Sequence, residues 1–254
     1  MINIAERHHF ILQKLQEEGQ VLVPHLCETL DVSSVTIRKD LKFLEDKGLL
    51  YRMHGGATQK NPYAVDRPVN EKEKLQAEEK KKIAQQAASL VEANDSIIIA
   101  SGTTVLYLAR YIHPKQSLTV ITSALQVASV LLENKDTEVI MLGGSLRQSS
   151  SSVMGPYAEG ILQDFFCSKL FLGVDGIDLE YGLTTTNVSE AHLNRQMIAV
   201  AQKTIVVADS TKFGRRGFGR ICGLDEIDEI ITDNAVPAHV VRALEALGVK
   251  VTIV

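Results

Sequence analysis

The sequence predicts a two-domain protein of the α/β class, in which a small helical N-terminal domain precedes a larger domain built on a mostly parallel sheet. Three observations favour this fold class. A chain of 254 residues is long for one small domain and suits a small domain followed by a larger one. Apolar residues recur at helical spacing in three stretches of the first fifty residues. From Ser96 onward, short β-rich runs alternate with helical patterns, as strands and crossover helices do.

The composition is typical of a globular protein. Hydrophobic residues make up 45% of the chain and charged residues 23%. We expect a cytoplasmic protein with no membrane contact, because the sequence shows no apolar run of membrane-spanning length and no secretory leader. The cysteines, Cys27, Cys167 and Cys222, lie far apart, and we expect reduced, buried thiols. The net charge of −4 excludes indiscriminate coating of nucleic acid, so any contact with DNA requires a local basic surface.

The first domain is predicted to contain three helices and a β-hairpin. Asn3 and Glu6 have the spacing of a capping box, which begins the first helix. Ser33 is the predicted N-cap of the third helix, and Gly48 ends that helix. A short strand and a tight turn of two glycines follow. The predicted helices are 3–19, 23–30 and 33–47, and the predicted hairpin has strands at 49–52 and 57–58 joined by Gly55 and Gly56.

A linker is predicted between the two domains. Pro62 and Pro68 bracket a polar segment. The stretch 71–82 has the mixed charges of a helix exposed to solvent, and we expect it to act as a connector. The predicted organisation is an N-terminal domain at 1–60, a linker at 61–75 and an α/β domain at 76–254.

Seven strands are predicted in the second domain, and the helical patterns between them predict parallel pairing. Open parallel sheets bind ligands beyond the carboxyl ends of their strands. The loops that follow the strands are therefore the predicted location of a ligand site. The predicted strands are 97–99, 118–121, 138–142, 170–174, 205–208, 229–231 and 249–254.

The third helix has one apolar face and one basic face. At about 100° per residue, Ile37, Leu41 and Leu44 share the apolar face, whereas the polar residues near the helix start point away from it. An ordinary amphipathic helix would show the same periodicity. A helix that reads DNA would use its cations on guanine or phosphate and its methyl groups on thymine. The candidate DNA-binding residues are Ser33, Ser34, Val35, Thr36, Arg38, Lys39 and Lys42 on the helix, and Arg52 and His54 on the hairpin.

The segments 35–41, 44–45, 48–50 and 52–57 resemble the N-terminal signature of the DeoR family of regulators. The resemblance covers most of residues 3–58 and joins the third helix to the hairpin. It implies a winged helix-turn-helix domain that binds double-stranded operator DNA.

Polar and glycine residues follow five of the predicted strands. The run 101–104 stands between the first strand and a helix, where free backbone N–H groups suit a phosphate. A strand–glycine–helix turn is also a common structural junction, so the agreement of several junctions supports the prediction. Cations can pair with phosphate, and carboxylates can accept hydrogen bonds from sugar hydroxyls. The candidate effector-binding residues are Ser101, Gly102, Thr103, Thr104, Thr122, Ser123, Gly143, Gly144, Arg147, Asp175, Gly176, Glu190 and Lys212.

Motifs at 101–104, 142–144, 171–177, 182–185 and 208–214 resemble the DeoR-type effector domain, whose fold is related to ribose-5-phosphate isomerase. This resemblance implies sensing of a phosphorylated sugar or sugar-like metabolite, and family members usually repress sugar-metabolism operons until the ligand releases them. Two positions depart from the family pattern. Ala100 stands where Asp is common, and Ser123 stands where Asn is common. These departures predict an altered or less polar ligand.

Three hypotheses were compared. The first is a ligand-gated repressor that is not an enzyme, needs no cofactor and forms a homo-oligomer, either a dimer or a tetramer. The second is a sugar-phosphate isomerase-like enzyme with a DNA-binding head, in which Glu190 is the base and Asp175 and Lys212 polarise the substrate. The third, a metal sensor, is disfavoured because the seven histidines are scattered without metal-ligand spacing. We favour the first, because a regulator requires only binding.

Overall fold

Three hydrophobic clusters stabilise the fold, one in the N-terminal unit and two in the second unit. The computed structural model describes residues 3–47, 49–53, 55–59, 68–114 and 116–254. The chain divides into the units Met1–Val65 and Asp66–Val254. Within the described part of the chain, no helix is both long and apolar enough to cross a membrane.

The N-terminal unit packs three helices around one apolar cluster, which includes Ile11, Leu26 and Leu41. The predicted helices are confirmed, and the capping box of Asn3 and Glu6 is present in both directions. The structure adds a short strand after the first helix that the sequence analysis missed. The elements are α1 (Ile4–Glu18), β1 (Gln20–Leu22), α2 (Val23–Leu30), α3 (Ser34–Asp46), β2 (Tyr51–Met53) and β3 (Gly56–Thr58).

The three short strands form an antiparallel sheet in the order β1-β3-β2. Val21 lies opposite Ala57, and Arg52 lies on the other side of Ala57. The hairpin is thereby joined to the end of α1, because β1 follows that helix directly. A three-residue strand is too short to show an alternating pattern, which is why the sequence did not reveal it.

The second unit is built on a seven-stranded sheet in which every neighbouring pair is parallel. All seven predicted strands are present, so the predicted α/β class is confirmed. Successive residues of one strand, such as Ile98 and Ile99, belong to different hydrophobic clusters, so one cluster lies on each face of the sheet. The strands are β4 (Ser96–Ile99), β5 (Leu118–Thr122), β6 (Thr137–Met141), β9 (Cys167–Leu172), β12 (Ala201–Val207), β14 (Glu229–Thr232) and β15 (Lys250–Ile253), in the order β15-β14-β12-β9-β4-β5-β6.

Helices and two smaller antiparallel sheets surround the large sheet. The smaller sheets were not predicted; they are the pair of β7 (Ser145–Arg147) with β8 (Ser152–Met154) and the sheet of β10 (Gly176–Asp178), β11 (Gly182–Thr185) and β13 (Gly219–Cys222). The helices are α4 (Val69–Lys74), α5 (Ala77–Ala88), α6 (Thr103–Tyr111), α7 (Leu125–Leu131), α8 (Pro156–Leu162), α9 (Val188–Ala199) and α10 (Ala238–Ala246).

The charged helix expected over 71–82 is different in the structure. Two helices, α4 and α5, replace it, and Gln76 between them has the left-handed backbone conformation. Lys80 and Ile83 of α5 are buried. The segment is therefore part of the second unit's packing and not a connector exposed to solvent. Its mixed charges misled the prediction because the buried lysine looks like its exposed neighbours in sequence.

Candidate DNA interface and effector site

Helix α3 presents its basic face to solvent, as predicted. Its apolar residues lie in the core of the N-terminal unit. Ser34 and Val35 are exposed at the start of the helix, and Arg38, Lys39 and Lys42 are exposed along it. Among the described residues, no hydrogen bond or ion pair involves the side chains of these three cations. They are available to base edges and phosphates without first losing an internal partner.

Ser33 and Thr36 form the N-terminal cap of α3. The Thr36 backbone N–H donates to Ser33 Oγ at 3.2 Å, and the two hydroxyl oxygens are 3.0 Å apart. The cap satisfies a helix N–H group that would otherwise be unpaired. The two hydroxyls thus have a structural role besides the predicted contact with DNA.

The hairpin is tied to the end of α3 by Arg52. Its Nε donates to Glu45 Oε2 at 2.8 Å, and its backbone N–H donates to Glu45 Oε1 at 2.8 Å. The predicted DNA-binding residue Arg52 therefore also positions the hairpin. His54, the other hairpin candidate, lies outside the described residues.

A buried ion pair joins α1 to α3, and the sequence analysis missed it. Arg7 donates through Nε to Asp40 Oδ2 at 2.8 Å and through Nη2 to Asp40 Oδ1 at 3.0 Å, and His8 Nε2 lies 3.0 Å from Asp40 Oδ1. Burial by itself raises the pKa of Asp40, but the hydrogen bonds from Arg7 and His8 outweigh it and hold that pKa below its usual value. This contact fixes the helix that carries the basic face.

In the second unit, the order of the strands reverses between β4 and β9. The chain passes from β4 to β5 and β6 on one side, and returns to add β9 on the other. The loops after β4 and β9 meet at this point: a Cβ added to Gly173 would lie 3.2 Å from the Ser101 carbonyl oxygen. Ligands of open parallel sheets bind in such a crevice.

The N-terminus of α6 faces this crevice without a side-chain cap. Gly102 occupies the N-cap position with φ of 137°, and no side chain caps its helix. Only glycine adopts this backbone conformation readily. Thr103 and Thr104 begin the helix and are buried. The uncapped N–H groups and the positive end of the helix dipole form a site suited to an anion.

Asp175, in the loop after β9, is the centre of a hydrogen-bond network. Its Oδ2 accepts from Thr185 Oγ1 at 3.1 Å and from the Thr186 backbone N–H at 3.2 Å. Its Oδ1 accepts from Lys72 Nζ at 2.9 Å. Burial would raise the pKa of Asp175, but the nearby ammonium groups of Lys72 and Lys212 and these hydrogen bonds lower it.

Lys212 lies after β12, at the end of a single turn of 3₁₀ helix (Ser210–Lys212) that is capped by Asp209. The pKa of Lys212 is lowered, mainly by burial. The charges of Asp175 and Asp209 oppose this shift, whereas those of Lys72 and Arg215 add to it. Among the described residues, no hydrogen bond or ion pair involves its ammonium group. Lys212 is therefore a partly buried cation between two carboxylates, with its three donors open to a ligand.

Arg147 and Glu190 form a second, nearly buried ion pair. Arg147 Nη1 donates to Glu190 Oε2 at 2.5 Å. Ser152 Oγ donates to Glu190 Oε1 at 3.4 Å, and Thr185 Oγ1 lies 3.5 Å from Glu190 Oε2. Thr185 thus connects this pair to Asp175. Arg147, Glu190, Thr185 and Asp175 therefore belong to one network.

The remaining candidates lie at the same edge of the sheet, where packing already explains several of them. A Cβ added to Gly144 would lie 2.7 Å from the Met154 carbonyl oxygen, and one added to Gly176 would lie 2.4 Å from the Arg215 carbonyl oxygen. Close backbone contacts therefore require both glycines. Gly143 precedes Gly144 in the same loop, Thr122 Oγ1 accepts from the Ala124 backbone N–H, and the Ser123 carbonyl accepts from the Val153 N–H.

Three residues at these sites were missed by the sequence analysis: Asp40, Lys72 and Lys80. Each resembles the solvated charges around it, and only the fold shows that it is bonded or buried. Lys80 Nζ donates to the carbonyl oxygens of Lys72 and Leu75 at 2.6 Å each, which holds the end of α4. No local motif marks these contacts.

The helix-turn-helix unit carries cations that are exposed and, among the residues described, unpaired. Joined in one chain to a parallel α/β unit with an anion-suited crevice, this unit defines a ligand-responsive transcriptional regulator. The DeoR-like helix-turn-helix domain matches residues 7–62, and the DeoR C terminal sensor domain matches residues 75–234. The chain belongs to the DeoR family.

Named relatives align over almost the whole chain. A putative aga operon transcriptional repressor of Escherichia coli O157:H7 is 40% identical over 98% of this chain and 94% of its own. The HTH-type transcriptional regulator GlpR of Haloferax volcanii is 34% identical over 97% of this chain and 96% of its own. Ribose 5-phosphate isomerase A from Neisseria gonorrhoeae resembles 54% of this chain, over 53% of its own, with 15% identity and a TM-score of 0.39.

Proposed function

We propose that this protein represses sugar-metabolism genes by binding operator DNA, and that a phosphorylated sugar or related metabolite releases it. The names of the relatives support this role, since they include repressors of an aga operon and of a glycerol-3-phosphate regulon. The regulator would act in the cytoplasm without a cofactor. Among the described residues, no group of three or more potential ligands could hold a metal ion.

The DNA-binding surface is the exposed face of α3 together with the adjoining hairpin. Arg38 and Lys39 lie near the helix start, where side chains of a recognition helix reach base edges. Val35 is 58% exposed and offers its methyl groups to thymine. Lys42, farther along the helix, suits a phosphate. Arg52 is held by Glu45 at the base of the hairpin and can position the hairpin on the backbone.

The effector would bind at the reversal point of the large sheet. Its phosphate group fits between the N-terminus of α6, which begins after Gly102, and the ammonium group of Lys212. Asp175 and Glu190 are then available to accept hydrogen bonds from sugar hydroxyls. The observation that carries the proposal concerns two groups of cations in one chain. Within the described residues, Lys212 at this crevice and the cations on the exposed face of α3 have no hydrogen-bonding or ion-pair partner.

Release requires that the effector bind one DNA-binding state of the protein more tightly than the other. The test measures affinity for the protein's own promoter region by fluorescence anisotropy, with and without each member of a panel of phosphorylated sugars. The same panel is screened by thermal shift, because a ligand of the folded state raises its melting temperature. We expect one phosphorylated compound to raise the melting temperature and weaken DNA binding. A panel with neither effect would contradict the proposal.

Lys212→Ala and Gly102→Asp are expected to abolish release while leaving DNA affinity within about twofold of the wild type. The first removes the unpaired cation; the second places a carboxylate where the anion would bind, on a backbone that favours glycine. Lys135→Ala, which changes an exposed lysine in the turn before β6, is the matched control and should respond as the wild type does. Normal release in Lys212→Ala would displace the proposed site.

We further propose that the regulator is a homo-oligomer, a dimer or a tetramer, because paired heads address the repeated half-sites of an operator. Light scattering at the concentrations used for DNA binding tests this directly. A strict monomer that still binds the operator fully would contradict it.

An isomerase activity is the second candidate, with Glu190 as the base. Glu190 is buried and bonded to Arg147 at 2.5 Å, so it would have to leave this ion pair to accept a proton from a substrate carbon. The regulator hypothesis requires no such step. Incubation of the protein with aldose and ketose phosphates, followed by product analysis, separates the two, and turnover would favour the enzyme.

A further inference from the structure

Lys72 reaches the predicted effector site from a distant part of the sequence. It lies on α4, 103 positions before Asp175, and its Nζ donates to Asp175 Oδ1 at 2.9 Å. The matched sensor domain begins at residue 75, so Lys72 precedes it. The sequence analysis placed this residue in a linker, where no function was expected.

Lys72 can give up its bond to Asp175 and bond to a ligand in its place. Asp175 Oδ2 keeps two other donors, Thr185 Oγ1 and the Thr186 N–H, so the carboxylate stays anchored when Lys72 leaves. In the described part of the chain, Asp175 is the one hydrogen-bonding partner of the Lys72 ammonium group, which has three donors. Two of these donors can serve a ligand.

The surrounding charges favour an anion. Lys72, Lys80 and Lys212 are electrostatic neighbours of each other. Asp175 acts on Lys72 and Lys212, Asp209 on Lys80 and Lys212, Glu73 on Lys80, and Arg215 on Lys212. These four cations and three carboxylates carry one net positive charge when all are ionised. Lys80 is already bonded to two carbonyl oxygens. The excess positive charge is therefore available on Lys72 and Lys212.

We propose that Lys72 is an additional anion-binding residue of the effector site, and that it exchanges Asp175 for the phosphate group when the effector binds. This inference rests on the proposed function. The phosphate would be held by Lys72, Lys212 and the N-terminus of α6, and Asp175 Oδ1 would become free to accept a sugar hydroxyl. The exchange would change a contact of α4, the first helix of the second unit in chain order. The start of this helix is fixed because the Val69 N–H donates to the Ser149 carbonyl oxygen at 2.7 Å.

The test titrates the full-length protein with inorganic phosphate in a calorimeter. Lys72→Gln should weaken phosphate binding by about tenfold or more, as expected for loss of one charge-assisted hydrogen bond. Lys74→Gln changes an exposed lysine on the same helix and should stay within about twofold of the wild type. Asp175→Asn should have the opposite sign and tighten phosphate binding, because it removes the negative charge that repels phosphate and leaves only a neutral, weaker acceptor for Lys72.

Lys72→Arg should keep most of the affinity, which separates loss of the cation from damage to the fold. Phosphate binding by Lys72→Gln equal to that of Lys74→Gln would overturn the inference. So would unchanged affinity in Asp175→Asn, a result that remains decisive if Lys72→Gln does not fold. If the wild type binds neither phosphate nor any phosphorylated sugar of the panel, the proposed function itself fails.

Discussion

On α3, the cations Arg38, Lys39 and Lys42 are exposed and, within the described residues, bond to no other side chain. At the edge of the large sheet, by contrast, Lys72 is bonded to Asp175, and burial is the largest single influence on the pKa values of Asp175 and Lys212. Under the proposed function, DNA bound to these three cations would displace only water and counterions. An anion bound to Lys72 would instead replace the existing bond to Asp175.

This difference suits the two proposed tasks. A surface without internal partners keeps one structure before and after it binds, which favours rapid and tight association with DNA. In the proposed exchange, Lys72 bonds either to Asp175 or to the effector, and an effector with different affinities for the two arrangements would shift their populations. The response of the sensor would then come from the contact that the ligand breaks.

Arg38→Ala is the substitution expected to have the largest effect on this comparison. If Arg38 contacts a base through two hydrogen bonds, its loss should weaken operator binding by about 1–3 kcal/mol, or roughly 5- to 150-fold. Because Arg38 has no partner in the part of the chain that the structure describes, the thermal stability of the protein and its affinity for the effector should not change. Anisotropy with operator DNA and thermal shift with the effector measure these quantities separately.

Lys42→Ala is the matched control for Arg38. A lysine that contacts only phosphate should lower the slope of log K against log salt by about one and change sequence preference little. An operator affinity unaffected by Arg38→Ala would remove α3 from the groove and end the contrast between the two units.

The fold could be predicted from the sequence where the signal is local. The helices of the N-terminal unit are confirmed because caps such as Asn3 and Ser33 lie beside regular apolar spacing. The seven large-sheet strands are confirmed because their apolar runs are separated by helical patterns. The short strand β1 and the hairpin of β7 and β8 are three-residue elements without a period, and they were missed.

The site could be predicted only in part, for a physical reason. Motifs after strands identified Asp175 and Lys212, since the carboxyl ends of parallel strands share one edge. The partner of Asp175, Lys72, is 103 residues away in sequence, and the partner of Asp40, Arg7, is 33 residues away. Such pairings depend on packing and leave no local pattern.

Asp40→Ala sharpens the comparison from the side of the N-terminal unit. It removes the buried carboxylate that is bonded to Arg7, and breaking a fully buried pair costs about 3–5 kcal/mol. Because the N-terminal unit is small, solvent screens the pair, and we expect the loss of stability to be about 2 kcal/mol. Hydrogen exchange of α3 peptides in the full-length protein should then be roughly 30-fold faster. Asp46→Ala, at an exposed position of the same helix, should leave it unchanged.

The same ion pair predicts a dependence on pH. Because the pKa of Asp40 is lowered in the folded protein, its contribution is fully present above the usual carboxyl pKa and is lost as pH falls through the lowered value. Protection of α3 in the wild type should therefore decrease below about pH 4, relative to Asp40→Ala. Equal protection in both proteins at neutral pH would show that the pair does not stabilise the recognition helix.

Lys80 provides the smallest test, on the side of the second unit. It is 3% exposed, and burial, partly offset by Asp209, lowers its pKa from 10.5 to about 8. Since the folded state releases this proton at lower pH than the unfolded state, the free energy of unfolding should rise as pH increases from 8 toward 10.5. Solvent screening limits the expected rise to the order of 1 kcal/mol.

The measurement compares the calorimetric melting temperature of the second unit at pH 7.5 and 9.5 in wild type, Lys80→Met and Lys82→Met. The wild type and Lys82→Met, which alters an exposed lysine of the same helix, should share the relative gain at high pH, and Lys80→Met should lack it. This gain would show that holding Lys80 as a buried cation costs stability near neutral pH. The same pH dependence of the melting temperature in all three proteins would show that the Lys80 cation does not cost stability. The contrast with the freely solvated cations of α3 would then be lost.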